Sequence, residues 1–362
     1  MRKYYIDNIR WMTIVLVAVY HIIFMFNSIE TSIVIGPITQ FHGQDVIQYL
    51  LYPWFMVILF LISGMCARYY LEKHTDREFI KARTRKLLVP STIGVFVMGW
   101  MQGYISMASV HSLDTLTNGI PSPVKFIILC LSGTGVLWTM QVMWILSLVL
   151  VLIRKLEKGK LLALGEKTNW IILVLLGVVA WGAAHILNTP QIVVYRFGIY
   201  GFAFLIGYYV LSHEKVTDQL EKICIPLLMI AVVLGIAYAY LYFGQNYTQA
   251  PGINCPLAIA YCWIACLGII GGMKKYGNKS NSFTNFMASK SVGLYVFHYL
   301  ALSATAYVLT EYTSVPGIAV YLLCTIAAFA GGILLYEIFS RIPFIRWCVL
   351  GIRREKKKKH VS

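Results

Sequence analysis

Apolar runs of about 20 residues, each closed by a short polar or charged cluster, recur along the chain, and that length matches a helix crossing about 30 Å of hydrocarbon. The pattern predicts ten membrane-spanning helices, near residues 9–27, 49–66, 87–107, 136–153, 169–187, 193–211, 223–243, 253–273, 286–309 and 315–339. The expected fold class is therefore all-α, a polytopic membrane bundle. Residues 125–132 are apolar but too few to span, and Gly133 with Gly135 sets them apart. They read as an interfacial or re-entrant piece.

Charge fixes the orientation, because cytoplasmic segments retain an excess of Lys and Arg. With the N-terminus inside, alternate segments hold 29 of the 31 basic residues, and only Lys125 and Arg196 fall outside. One missed span would scramble that alternation. An even number of spans also returns the C-terminus to the cytoplasm, so the chain divides into a membrane domain, 1–345, and a basic cytoplasmic tail, 346–362.

Composition agrees: 59% of the residues are hydrophobic and 13% charged, far below the roughly 25% charged residues of a soluble domain. The net charge of +16 is spread over six inner segments, which fits retention at the membrane face and not nucleic-acid binding. The run Arg353, Arg354 and Lys356 to Lys359 is placed beside anionic headgroups or in solvent as a stop-transfer tail. Eight cysteines lie mostly inside spans without the close pairs of a zinc site, and read as packing residues; no metal is expected. The first apolar run is too long for a signal peptide, lacks a small-residue cleavage site and is expected to stay as the first span. No internal repeat is visible, which weakens inverted-repeat transporter folds. The triplet Asn246-Tyr247-Thr248 matches a glycosylation sequon but is too short a match to carry weight.

Candidate chemistry begins in the first span. Arg10 and His21 are eleven positions apart, and eleven residues at 100° each end only about 20° past three full revolutions, so both project from one face about 16 Å apart. Arg10 then marks the inner interface and His21 reaches mid-membrane, where an ionisable group usually faces a bundle interior or an aqueous cavity. The plain alternatives are a neutral imidazole bonded to a neighbouring helix and an arginine snorkelling to headgroups.

A second signal is the inner loop after the second span, where Arg68, Arg77, Lys81, Arg83, Arg85 and Lys86 precede Pro90. Arginine forks match phosphoryl oxygens, so this stretch could grip a polyphosphate arriving from the cytoplasm, although positive-inside retention explains it equally well. Gln141, His185, Arg196 and His298 are further polar residues within spans, any of which could simply bond a neighbouring helix. Glu337 and Arg341 stand four apart and read as an ion pair. Trp138, Tyr195 and Tyr312 fit interfacial belts better than substrate stacking.

Taken together, several segments resemble the acyltransferase-3 family of integral membrane O-acyltransferases: Asp7-Asn8-Ile9-Arg10, the Arg-x10-His spacing to His21, Phe60-Leu61-Ile62-Ser63-Gly64, Arg83-Thr84-Arg85-Lys86 before Pro90, Leu137-Trp138, and Ser291-Val292-Gly293-Leu294-Tyr295-Val296-Phe297-His298. The similarity covers nearly the whole chain. It implies ten spans and transfer of an acyl group, acetyl or succinyl, from cytoplasmic acyl-CoA to a hydroxyl of an exported or cell-surface carbohydrate or related small molecule. It makes His21 the catalytic histidine with Arg10 its partner on the donor side, and Arg83, Arg85, Lys86 and Arg68 the donor-binding residues. Trp138, Gln141 and His298 are carried as substrate-side residues. The family's Arg-x-x-Arg element stands here as Arg83-x-x-Lys86; a lysine keeps phosphate contact but not bidentate geometry. The layout, without the extracellular hydrolase-like domain of many members, is closest to the glucan-modifying, succinyl-transferring branch.

The resemblance implies a multi-pass protein of a bacterial plasma membrane that binds acyl-CoA as a substrate, with no permanently bound cofactor. Neutral His21 would act as general base on the acceptor hydroxyl, or else carry the acyl group briefly as a nucleophile. From another class, the chain could be a secondary transporter or flippase in which Arg10 and His21 line a path without covalent chemistry.

Overall fold

A computed structural model describes residues 2–29, 34–113, 118–189 and 192–352. The run from Arg353 to Lys359 lies outside the described residues. The elements used below are α1 (Tyr4–Met25), α2 (Val46–Leu71), the interrupted α3 (Asp76–Ser109), α4 (Ser122–Ser132), α5 (Trp138–Glu157), α6 (Trp170–Ala183), α7 (Phe197–Leu211), α8 (Glu214–Tyr242), α9 (Pro256–Tyr276), α10 (Ser282–Tyr312), the continuous run α11 (Gly317–Arg341) and α12 (Pro343–Leu350). No strand occurs among the described residues.

Eight of these helical runs are long and apolar enough to cross a membrane, and α6 and α7 are shorter apolar helices at the fifth and sixth predicted positions. The expected count of ten is thus approximate. The two were predicted over 169–187 and 193–211, but the helix stops at Ala183 and resumes at Phe197. Apolar residues continue through the gap, yet Asn188, Thr189 and Pro190 favour a turn, and Asn188 pairs with Arg196 in an isolated bridge. The short run 125–132 is α4, which packs on α3 and does not span.

Burial sorts the helices into an inner and an outer set. In the most apolar window of α2 and of α9, 72% of the residues are buried, against 33% for α8 and 22% for α11. The outer helices expose large apolar side chains such as Met229, Val233, Ile318 and Leu322. In water that surface would be unstable; against lipid tails it is matched.

Without a solvent-driven hydrophobic force between membrane helices, close packing depends on small residues. At Gly64 of α2, a Cβ would lie 2.0 Å from the Phe204 carbonyl oxygen of α7, and at Gly207 of α7 it would lie 2.0 Å from that of Leu61. Backbone meets backbone there, which only glycine permits.

Polar contacts respect the orientation read from charge. Lys3–Glu214, Arg154–Asp76, Lys274–Asp218 and Lys290–Glu337 join inner segments to one another. Tyr49–Gln245, Ser28–Asp45 and Arg196–Asn254 join outer ones. Glu337 therefore pairs with Lys290 of a neighbouring helix and not with Arg341, because helix packing brings a cation across the interface. All eight cysteines are free; of the six that are buried, four lie in spans, Cys130 in α4 and Cys348 in α12.

Candidate active site

His21 projects from α1 against α10, where its Nδ1 lies 3.0 Å from Nε2 of His298. His298 is fully buried, and its Nδ1 is 3.0 Å from the Leu294 carbonyl and 2.9 Å from that of Tyr295. Carbonyl oxygens only accept, so His298 carries its proton on Nδ1 and offers a bare Nε2. His21 must then donate from Nδ1, and its own Nε2 is left with a free lone pair. Two histidines separated by 277 residues form one oriented pair, with His298 fixing the tautomer and ring plane of His21.

Beside this pair lies a cavity of about 490 Å³, within the range of small-molecule sites. His21, Tyr20 and Phe24 contribute from α1, Tyr52 and Phe55 from α2, Gln102 and Ser106 from α3, Trp138 from α5, and Tyr295 and Tyr299 from α10. The outer loops complete it with Thr134, Ile192 to Tyr195, Thr248 and Gln249. Among the described lining residues no Asp, Glu, Lys or Arg occurs. The wall is aromatic faces punctuated by hydroxyls and amides.

The wall is braced from behind. The Tyr295 hydroxyl lies 2.7 Å from both the Val136 carbonyl and the Thr139 hydroxyl, fixing α10 to the start of α5. Phe60 stacks on Tyr200 at 4.5 Å, and Trp138 sits 5.5 Å from the same ring. Gln102 donates to Ser106 at 2.9 Å and accepts from Ser303 at 3.1 Å. Trp138 and Tyr195, expected in interfacial belts, face this cavity, whereas Tyr312 is exposed.

At the inner ends of α1, α2 and α3 a basic cluster forms. Arg10 contacts Asp7 at 3.1 Å and the Cys66 thiol at 3.2 Å, while Arg83 donates to the Ser63 hydroxyl at 3.2 Å and to its carbonyl at 3.3 Å. Lys86 feels the charges of Arg85, Arg83 and Arg10. Ser63 and Cys66 stand three apart on α2, so one helical face holds both guanidinium groups between α1 and α3. Asn8, which sequence reasoning passed over, latches α1 to the loop before α10 through bonds of 2.7 Å to the Gly277 carbonyl and 2.9 Å to that of Lys279.

The remaining expected residues are placed elsewhere. Arg68 pairs with Glu72 one turn along α2, at 3.3 Å. Gln141 does not line the cavity; it bonds the Ser91 carbonyl and the Tyr195 hydroxyl. His185 is exposed at the end of α6 on the Trp181 carbonyl, and Arg196 is buried on the Asn254 side chain. None of Arg10, Arg83, Arg85 and Lys86 lines the cavity. Thr13 and Ile14, which lie between Arg10 and His21 along α1, are buried. Gln102, Ser106, Tyr299 and Gln249 are wall residues that sequence reasoning did not single out; Gln102, a polar side chain inside an apolar span, was the one with a legible signal.

An oriented imidazole beside a cavity among membrane helices, with a basic cluster about three helical turns inward, is an arrangement compatible with group transfer in a multi-pass membrane protein. The model of the acyltransferase-3 family, described as an acyltransferase domain, matches residues 3–337, and the chain belongs to that family. No curated protein and no solved structure matches the chain significantly.

Proposed function

We propose that this membrane acyltransferase moves an acyl group, acetyl or succinyl, from acyl-CoA on the cytoplasmic side to a hydroxyl of a carbohydrate or related polyol in the outer cavity. The observation that carries this reading is the free Nε2 lone pair of His21, oriented by His298 beside an uncharged, aromatic-lined cavity. Aromatic faces suit the C–H faces of sugar rings, and scattered hydroxyls and amides suit their hydroxyl groups.

In the proposed reaction, His21 Nε2 takes the proton of the acceptor hydroxyl as its oxygen attacks the thioester carbonyl. The carbon–sulfur bond then breaks, and the imidazolium returns the proton to the departing sulfur, giving ester and CoA thiol. Arg10, Arg83, Arg85 and Lys86 would hold the donor's phosphates, about 16 Å inward of His21 along α1, a separation for an extended pantetheine arm. On this reading the enzyme sits in a cell membrane, acts on exported substrates and takes acyl-CoA as a substrate.

The test is mass spectrometry of surface carbohydrate and exported small molecules from cells carrying wild-type protein or His21→Ala, with acetyl- and succinyl-CoA hydrolysis measured on purified protein. Loss of an acyl mass and of hydrolysis in the variant is expected. Unchanged acyl masses with altered solute distribution would replace this reading with transport. An acyl group trapped on the protein without acceptor would favour a histidine relay over the general base.

A further inference from the structure

Span α3 is broken where its carbonyls most need partners. Pro90 has no amide proton, and the amides of Val95 and Phe96 both turn to the Thr92 carbonyl, at 3.0 and 3.3 Å. The Ser91 hydroxyl covers the Leu87 carbonyl at 2.7 Å and the Thr92 hydroxyl that of Leu88 at 2.6 Å. The Ser91 carbonyl, on a residue 1% exposed, is left to a side chain from another helix: Gln141 Nε2 donates to it at 2.7 Å. That bond sets the amide's orientation, and Oε1 then accepts from the hydroxyl of Tyr195 in the cavity wall.

One face of α5 continues this contact in both directions. Trp138, three residues before Gln141, lines the cavity; Trp144, three residues after it, donates to the Thr84 hydroxyl at 3.0 Å. Thr84 opens the wide helical turn Thr84–Leu88 that carries Arg85 and Lys86, and Arg83 immediately precedes it. A chain of named bonds therefore runs from the outer cavity wall, through Gln141, to the break in α3, and from the same helix to the basic turn.

We infer that Gln141 is a positioning residue linking the two sides of the reaction: its bonds to Tyr195 and Ser91 make the hold on the CoA phosphates at Arg83, Arg85 and Lys86 depend on the outer cavity wall. This rests on the acyl-CoA reading above. By reciprocity, an acceptor that moves Tyr195 changes donor affinity, and bound donor changes acceptor affinity by the same factor. Such coupling needs an element with two arrangements, and on this inference the broken stretch of α3 takes that part.

The test is titration of CoA into full-length protein in lipid nanodiscs, comparing wild type with Gln141→Leu, Tyr195→Phe and the double variant, each confirmed as folded by size exclusion. Tyr195→Phe removes one hydroxyl on the far side from the basic cluster, yet should weaken CoA binding about threefold to tenfold, the range for losing one buried hydrogen bond. Gln141→Leu should do at least as much, and the double variant no more than Gln141→Leu, because the two bonds act in series. Acetyl-CoA hydrolysis at saturating donor should change less than its KM. CoA affinity of folded Tyr195→Phe equal to wild type overturns the inference, even if Gln141→Leu misfolds. Additive effects of the two variants overturn it as well. Wild-type protein that binds no CoA would sink the acyl-CoA reading itself, a result distinguishable from either.

Discussion

Replacing His298 by Ala removes the acceptor for His21 Nδ1–H, an atom pair 3.0 Å apart. The proton on Nδ1 then loses its side-chain acceptor in a largely enclosed site, leaving only the Val17 carbonyl near the ring, and removing one partner of a buried bond costs about 1–3 kcal/mol. The imidazole escapes that cost by rotating or by moving its proton to Nε2, and either change takes the lone pair away from the cavity. The expected loss in kcat is thus about 5-fold to 150-fold, smaller than the about 100-fold to 10,000-fold expected for His21→Ala, since the base itself remains. The KM for acetyl-CoA should hold within about twofold, because the basic cluster lies about 16 Å from the pair. His298→Gln, whose side-chain oxygen can accept from His21, should recover part of the loss. Steady-state acetyl-CoA turnover over the three variants checks this, and a folded His298→Ala enzyme with kcat within twofold of wild type would refute the orienting role.

Further expectations follow from single contacts. Gly64→Ala places a methyl 2.0 Å from the Phe204 carbonyl oxygen and should destabilise by about 1–3 kcal/mol or more, whereas Gly182→Ala, with nothing within 4 Å, should be near neutral; thermal unfolding followed by size exclusion separates them. Arg83→Ala removes both bonds to Ser63 and should raise the KM for acyl-CoA about tenfold, with Arg83→Lys intermediate because it keeps charge but loses the fork, as substrate titration would show. Trp138→Ala should raise the acceptor KM, measured once an acceptor is in hand, and change donor affinity less than Tyr195→Phe does, since its ring is part of the outer wall but makes no bond to Gln141. A double-mutant cycle on Lys290 and Glu337 should give a weak coupling that shrinks with salt, because the two side chains are 24% and 37% exposed.

Hydrophobic run length made the long spans legible, and the basic residues made their alternation legible, because both signals are local and repeated. The failures are of another kind. Residues 193–195 continue an apolar run and were read as the start of a span, yet they form cavity wall; apolarity alone does not distinguish lipid from an aromatic pocket. The helical spacing of Arg10 and His21 was readable, but the His21–His298 contact was not, since nothing in a periodic pattern connects positions 277 apart. Glu337 was given a partner on its own helix for the same reason: the local rule is visible in sequence, while the competing cation at Lys290 arrives only through packing. Trp138 and Tyr195 sit where interfacial aromatics are common, so their turn toward the cavity needed the neighbouring helices to be placed.

The interlock at Gly64 and Gly207 divides the molecule mechanically. With carbonyls seated against α-carbons and no side-chain layer to slide upon, α2 and α7 cannot shift past one another without collision. Helix α1 is tied at its inner end by Asn8 to the loop before α10. In the proposed reaction, the motion that would bring a thioester from the basic cluster to the imidazole falls to the opposite flank, the broken α3 with its companions α4 and α5. On that proposal the interlocked pair is a stiff keel beside the histidine, and the broken helix is the side panel left to give way.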